Sequence, residues 1–221
     1  MKAIILSPYM ANVNPLVREY QFKVMNAICA EYTFKQVLTD KPHGKTCDML
    51  LNTCIKKGYD VALIMDIDAI PLSNYAIEYT LYQANKGKLV GNVQRSNHIK
   101  NDQHVFVAPS FIGINLQSWD ILGRPSFVET ERGDVGEELT YAWEERGWPM
   151  MIYMPKHYEQ SPKECESWAL KDGMPHYGIG TTFEHIGTEM SYHAFQIIHN
   201  KSLENFINKC NSILNAPQKA N

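Results

Sequence analysis

Apolar residues along the first ninety positions follow two alternating rhythms. Lys2–Ser7, Tyr32–Leu38, Asp60–Met65 and Lys88–Val93 are short runs with the length and β-branched content of buried strands. Between them, apolar positions recur every three or four residues, as on one face of a helix. The first such stretch opens at Asn14-Pro15, a cap followed by a residue preset for the first turn, and carries Leu16, Tyr20, Val24 and Ile28. The second, Lys45–Lys57, aligns Leu50, Leu51, Cys54 and Ile55 and stops at Gly58. The third, Ser73–Lys86, aligns Ile77, Leu81 and Ala84 and stops at Gly87. This alternation predicts an α/β fold with a mostly parallel central sheet and helices on both faces. Ligands of such sheets sit outside the carboxyl ends of the strands.

The second half is less regular. Gln94–His104 and Pro155–Gly187 are polar or unpatterned and read as loops near the carboxyl edge, able to close over a ligand. Val105–Ile114 predicts one or two strands, Met150–Met154 another, and Asn115–Leu122, Gly136–Arg146 and Ser202–Leu214 read as helices. Neither an internal repeat nor a break in composition divides the 221 residues, so a single domain is expected.

Composition narrows the classes. With 21 basic and 24 acidic side chains the formal charge is −3, which lacks the basic excess of an electrostatic nucleic-acid binder, although it does not exclude such a partner. Val61–Met65 is the longest later apolar run, far short of the ~20 residues of a membrane span. The apolar run at the N-terminus is too short for a signal-peptide core. The 5 cysteines form no C-x-x-C pair, and an odd number suits free thiols in a reducing cytoplasm. Trp119, Trp143 and Trp148 fall at core spacings, whereas Trp168, in Lys163–Gly173, could stack on a ring of an acceptor.

The sharpest chemical feature is Val61-Ala-Leu-Ile-Met-Asp66-Ile-Asp68-Ala-Ile-Pro71. Two carboxylates at i and i+2 share one side of an extended chain. Held so close they repel and raise each other's pKa, unless a cation sits between them. Hard divalent ions such as Mg²⁺ and Mn²⁺ favour these oxygen ligands.

Together with Pro42-His43-Gly44, Asp48 and Asp60, this stretch resembles the nucleotide-sugar-dependent glycosyltransferases of the A fold, a Rossmann-like architecture. The resemblance extends over roughly residues 1–155 and is thin beyond. It implies a nucleotide-binding half (1–93), an acceptor and catalytic half (94–221), and transfer of a sugar from a nucleoside-diphosphate sugar, first of all a UDP-sugar, to an acceptor hydroxyl. Glycan, protein, small molecule and modified DNA base stay open as acceptors. Asp66 then touches the nucleotide ribose or the metal, and Asp68 coordinates the Mn²⁺ or Mg²⁺ that bridges the diphosphate. Pro8, Tyr9, His43, Asp66, Arg95 and Gly113 are the candidate donor-binding residues, Gly113 by allowing close backbone approach beneath the sugar. Arg95, His98 and Lys100 share a polar stretch that could fold over a diphosphate or stay solvated. Gly133-Asp134-Val-Gly136-Glu137-Glu138 resembles the family's acidic motif, in which inverting members keep a general base. Asp134 is the first candidate for that base and Glu137 the second, although acids at a helix start also complement its dipole. Many A-fold enzymes complete the metal shell with a late histidine. His176, His185, His193 and His199 crowd the C-terminal region, with His185 and His193 the candidates.

Two alternatives remain on sequence grounds. A haloacid-dehalogenase-like phosphohydrolase also places Asp-x-Asp after an apolar strand, though after the first rather than the third. A non-catalytic A-fold protein that binds nucleotide or carbohydrate would use the same residues without turnover.

Overall fold

The strands carry apolar side chains on both faces because helices cover both. In the computed structural model, which describes residues 1–96, 104–159, 180–195, 197 and 200–216, β1 (Ala3–Tyr9) and β3 (Val61–Met65) lie side by side and are almost wholly buried. Ile5, Leu63 and Met65 point to one face, against Met25 of α1 (Pro15–Ile28) and Ala76, Ile77 and Leu81 of α3 (Asn74–Asn85). Ile4, Leu6, Ala62 and Ile64 point to the other. There they meet α2 (His43–Lys56), α4 (Leu116–Ile121) and α5 (Glu137–Glu145) through Leu51, Trp119, Leu139 and Trp143. Each such aliphatic side chain contributes about 1.5–3 kcal/mol on full burial.

The remaining strands are β2 (Thr33–Leu38), β4 (Ala69–Pro71), β5 (Leu89–Arg95), β6 (Val105–Asn115), β7 (Met150–Glu159), β8 (Gly180–His185) and β9 (Thr188–His193), and α6 (Asn200–Leu214) follows them. The order across the sheet is β2-β1-β3-β6-β5-β7-β8-β9-β4. Among the described residues only β1–β2, β1–β3 and β5–β7 are parallel pairs. The sheet is therefore mixed and curled, not mostly parallel as the strand–helix alternation predicts. One cause is that β6 returns directly from β5 and inserts antiparallel between β3 and β5. The other is the β8–β9 hairpin, which extends the sheet and receives β4 at its far edge.

Several boundaries also move. β5 runs through Gln94 and Arg95, and β7 continues to Glu159, so both reach into stretches expected to be loops. His98, Lys100, Trp168, His176 and His199, like the middle of both expected loops, lie outside the described residues. No helix among the described residues is long and apolar enough to cross a membrane.

A third, smaller core decides where the Asp-x-Asp stretch sits. Val17 and Val24 of α1, Phe206 and Cys210 of α6, and Tyr192 of β9 enclose Ile67 and Ile70. Burying Ile67 anchors the middle of the motif, with Asp68 beside it buried and Asp66 partly exposed.

Candidate functional site

Asp66 and Asp68 do not continue an extended strand. The Ala69 N–H donates to the Asp66 carbonyl at 3.0 Å, so residues 66–69 form a turn that carries the chain from β3 to β4. The Asp66 N–H, in turn, bonds the Ser110 carbonyl on β6 at 3.2 Å. β4 then pairs with β9 in a register that sets Ala69 opposite His193, and the Ala194 N–H donates to the Asp68 carbonyl at 2.9 Å. This ladder brings the late histidine to the carboxylates. His193 Nε2 lies 3.4 Å from Asp68 Oδ1 and 3.7 Å from Asp66 Oδ2, while His43 Nε2 approaches Asp66 Oδ1 to 3.3 Å from the first turn of α2.

The electrostatics follow from this crowding. Burial pushes the Asp66 carboxyl above its ordinary range, the nearby Asp68 charge adds to the rise, and His43 and His193 oppose it. For His193 burial favours the neutral ring, yet the charge of Asp68, its hydrogen bond and the charge of Asp66 together outweigh that and raise its pKa. Two carboxylates and one imidazole, each offering a ligand atom within 4.8 Å of the others, are a donor set that suits a divalent cation of the Mn²⁺ kind. Among the described residues no other group of this type occurs.

A cleft of about 170 Å³ opens beside this group, lined among others by Pro8, Tyr9, Thr39, Lys41, His43, Asp66 and Asp68. Pro8, Tyr9, His43 and Asp66, picked out from the sequence, thus share one wall. Thr39 and Lys41 were missed, since a Thr and a Lys between a strand and a helix carry no pattern of their own. The Tyr9 ring is backed by Arg18, whose guanidinium lies 5.0 Å from the ring centroid and whose Nη1 donates to the Tyr9 hydroxyl at 3.3 Å.

A buried polar chain ends at Ser110, the residue whose carbonyl holds the Asp66 N–H. Ser191 Oγ donates to Asn92 Oδ1 at 2.5 Å, and Asn92 Nδ2 donates to Ser110 Oγ at 3.2 Å, tying β9 to β5 and β6. Two residues beyond Asn92, Gln94 Nε2 donates to Asp134 Oδ2 at 3.0 Å, while the Val135 N–H donates to Asp134 Oδ1 at 2.6 Å. Glu137 sits behind Asp134 and is wholly buried. Its Oε2 accepts from the Asp134 N–H at 2.7 Å and from the Ser96 hydroxyl, and its Oε1 lies 2.5 Å from His104 Nδ1. Those contacts hold the start of α5 in place.

Other candidates stand apart from the carboxylates. His185, at the turn of the β8–β9 hairpin, packs 5.7 Å from the Tyr79 ring and 5.8 Å from the Tyr153 ring and does not join the Asp66–Asp68–His193 group. Gly113 is mid-strand under α3, where an added Cβ would meet Thr80 Cγ2 at 2.8 Å. The close approach it permits in the structure is that of α3. Arg95 is a buried strand residue opposite Val105 and does not line the cleft. Gly44 and Asp48 act on the fold as well. A Cβ on Gly44 would meet the Phe127 carbonyl oxygen at 2.5 Å, and Asp48 accepts from the Ser126 hydroxyl and the Phe127 N–H, docking that segment on α2.

No protein-family model matches this sequence, nor does any curated protein. Solved structures do resemble it. A197 from STIV is 14% identical with a TM-score of 0.43, covering 68% of this chain and 80% of its own. A candidate nucleotide-diphospho-sugar transferase from Desulfovibrio desulfuricans G20 is 9% identical with a TM-score of 0.47, covering 69% and 80%. The mannosyltransferase PcManGT from Pyrobaculum calidifontis, solved in complex with GDP-Man and Mn²⁺, is 12% identical with a TM-score of 0.50. The match takes in 76% of this chain and 59% of the mannosyltransferase, which is thus considerably longer than the part shared. The likeness to it is one of fold: a mixed, curled α/β sheet similar to that of glycosyltransferases.

Proposed function

We propose that the protein is a metal-dependent glycosyltransferase that moves a sugar from a nucleoside-diphosphate sugar to an acceptor hydroxyl, with 1–93 serving the nucleotide and 94–221 the acceptor as parts of a single domain. The observation that carries this reading is the convergence of Asp66, Asp68 and His193 beside the cleft lined by Tyr9, Lys41 and His43, with both carboxylates in its lining. The fold likeness to a mannosyltransferase that binds GDP-mannose and Mn²⁺ supports it.

In this reading Asp66, Asp68 and His193 hold the metal. When bound, the metal neutralises charge on the departing diphosphate as a Lewis acid. The chain supplies the rest. Tyr9 and Pro8 give the nucleotide a flat apolar wall, and Lys41 adds a cation at the rim. Asp134 is the base that takes the proton of the acceptor hydroxyl, its carboxylate aimed by the Gln94 and Val135 N–H groups. Glu137 is the poorer choice, because it is wholly buried and its carboxylate already serves the Asp134 N–H, the Ser96 hydroxyl and His104, whereas Asp134 keeps some exposure.

A thermal-shift screen of UDP, GDP, CDP and TDP, each with and without Mn²⁺, tests the proposal. One nucleotide should stabilise the protein in a Mn²⁺-dependent way, and UDP is the first expectation. No shift with any of the four would contradict it.

A further inference from the structure

The apolar face of α1 is interrupted by one polar residue. Val17, Val24 and Met25 bury their side chains there, and Gln21 among them is also fully buried. A methionine of equal length would pack at that point without desolvating an amide, so the amide must be held by what it bonds. Its partners are specific. Gln21 Nε2 donates to the Asp66 carbonyl at 2.8 Å and to the Ala69 carbonyl at 2.9 Å, the two ends of the Asp-x-Asp turn. Gln21 Oε1 accepts from Gln36 Nε2 on β2 at 3.0 Å. The amide orientation follows from this network, since only the NH₂ end can meet two carbonyl oxygens. Gln36 Nε2 also donates to the Arg18 carbonyl at 2.8 Å, and Arg18 backs the Tyr9 ring in the cleft.

We infer that Gln21 is a positioning residue for the metal site: its side-chain amide staples the 66–69 turn so that the Asp66 and Asp68 carboxylates meet at His193. The inference rests on the metal-dependent reading of that site. The turn's own Ala69-to-Asp66 bond ties peptide 68–69 to peptide 66–67, and Ser110 and Ala194 hold the Asp66 N–H and the Asp68 carbonyl; none of these three bonds reaches the Ala69 carbonyl, which Gln21 takes. Gln21 engages the carbonyls at both ends and couples them to α1 and, through Gln36, to β2. Ile67 holds the middle of the motif by burial, and Gln21 holds its flanks by hydrogen bonds.

The test compares Gln21→Met, which keeps length and apolar packing but removes both donors, with Met25→Ala, which weakens the same helix and leaves the staple intact. Two quantities are read: amide hydrogen exchange of Ala69 in metal-free protein, and affinity for Mn²⁺ alone by paramagnetic relaxation. Gln21→Met should speed Ala69 exchange and lower Mn²⁺ affinity by roughly 10–100-fold, as loss of an outer partner of a metal ligand does. Met25→Ala should lower the melting temperature with Mn²⁺ affinity within two-fold of native. Should Gln21→Met fail to fold, Gln36→Leu serves instead, since it strips the support from Gln21 Oε1, and a loss of a few-fold is expected. Native Ala69 exchange and native Mn²⁺ affinity in the variant overturn the inference, as does an equal loss of affinity in Met25→Ala. If the native chain binds no Mn²⁺, the metal-site reading itself fails and the role of Gln21 with it.

Discussion

His193 Nε2 stands 3.4 Å from Asp68 Oδ1, although more than half of the 221-residue chain lies between the two residues. The three-residue strand β4 makes this contact by pairing Ala69 with His193 as soon as the Asp-x-Asp turn ends. His185, one hairpin strand earlier, is turned toward Tyr79 and Tyr153 instead. His193→Ala is therefore expected to weaken Mn²⁺ binding at least roughly tenfold, and His185→Ala to leave it within two-fold. Paramagnetic relaxation titrations of both variants check this, and the reverse ranking would assign the wrong histidine.

Asp134 and Glu137 should separate cleanly. Asp134→Asn keeps the shape and the Val135 bond, so donor affinity should stay within a few-fold while turnover drops by roughly 10²–10⁴. Glu137→Gln disturbs a buried carboxylate that serves the Asp134 N–H, Ser96 and His104, and should lower stability by about 1–3 kcal/mol. Single-turnover assays and chemical denaturation of the two variants distinguish chemistry from scaffolding. An active Asp134→Asn enzyme would move the base elsewhere.

The alternation of strands and helices up to β5 is legible in the sequence because its apolar periods are clean and two of its helices carry capping residues, Asn14 before α1 and Ser73 before α3, whose side chains accept from the Leu16 and Ala76 N–H groups. Of the hydrophobic stripe expected on α1, Val24 is buried and Tyr20 and Ile28 pack against the core, but Val17 stands where Leu16 is expected. Leu16 stands 42% exposed, and Gln21 takes a core position that no polarity pattern would assign it, because its burial answers to the carbonyls of a distant turn. β4, β8 and β9 escaped notice for a related reason. They are short, and the β8–β9 turn uses Ile186-Gly187, both with positive φ, where a hairpin normally announces itself with Asn-Gly. The carboxylate pair was visible at once; the histidine beside it depended on a long-range ladder that local pattern does not encode.

Arg132 forks onto Glu138 just before the Asp134 segment, with Nη2 and Oε2 2.6 Å apart. That hydrogen bond, helped by Thr130 and opposed by partial burial, holds the Glu138 carboxyl below its ordinary value of 4.5. A carboxyl whose pKa is lower in the folded state stabilises the fold above its unfolded pKa and loses that contribution as pH falls through its folded one. Arg132 is half exposed, so the effect is small. Arg132→Met should cost on the order of 0.5 kcal/mol at pH 7, with the difference closing below pH ~4. Urea melts of both proteins across that range check it; a gap that widens in acid would reverse the sign.

Gly44→Ala separates helix propensity from packing. In an exposed helix the change would stabilise by about 1 kcal/mol. Here the new Cβ would fall 2.5 Å from the Phe127 carbonyl oxygen and 2.9 Å from Val128 Cα, both main-chain atoms. A net loss of about 1–3 kcal/mol is expected, read as a lower melting temperature. A stabilised variant would mean that the 126–128 segment is not packed on α2.

The central claim is that Asp68 and its neighbours hold a divalent metal that carries a nucleotide in the adjoining cleft. Isothermal titration of the nucleoside diphosphate selected by the screen, with saturating Mn²⁺, into native protein and Asp68→Asn tests it most directly. Native protein should bind only when Mn²⁺ is present. Asp68→Asn should lose that binding while keeping its circular dichroism and melting behaviour. Equal affinity in the two proteins, or binding indifferent to Mn²⁺, would contradict the claim.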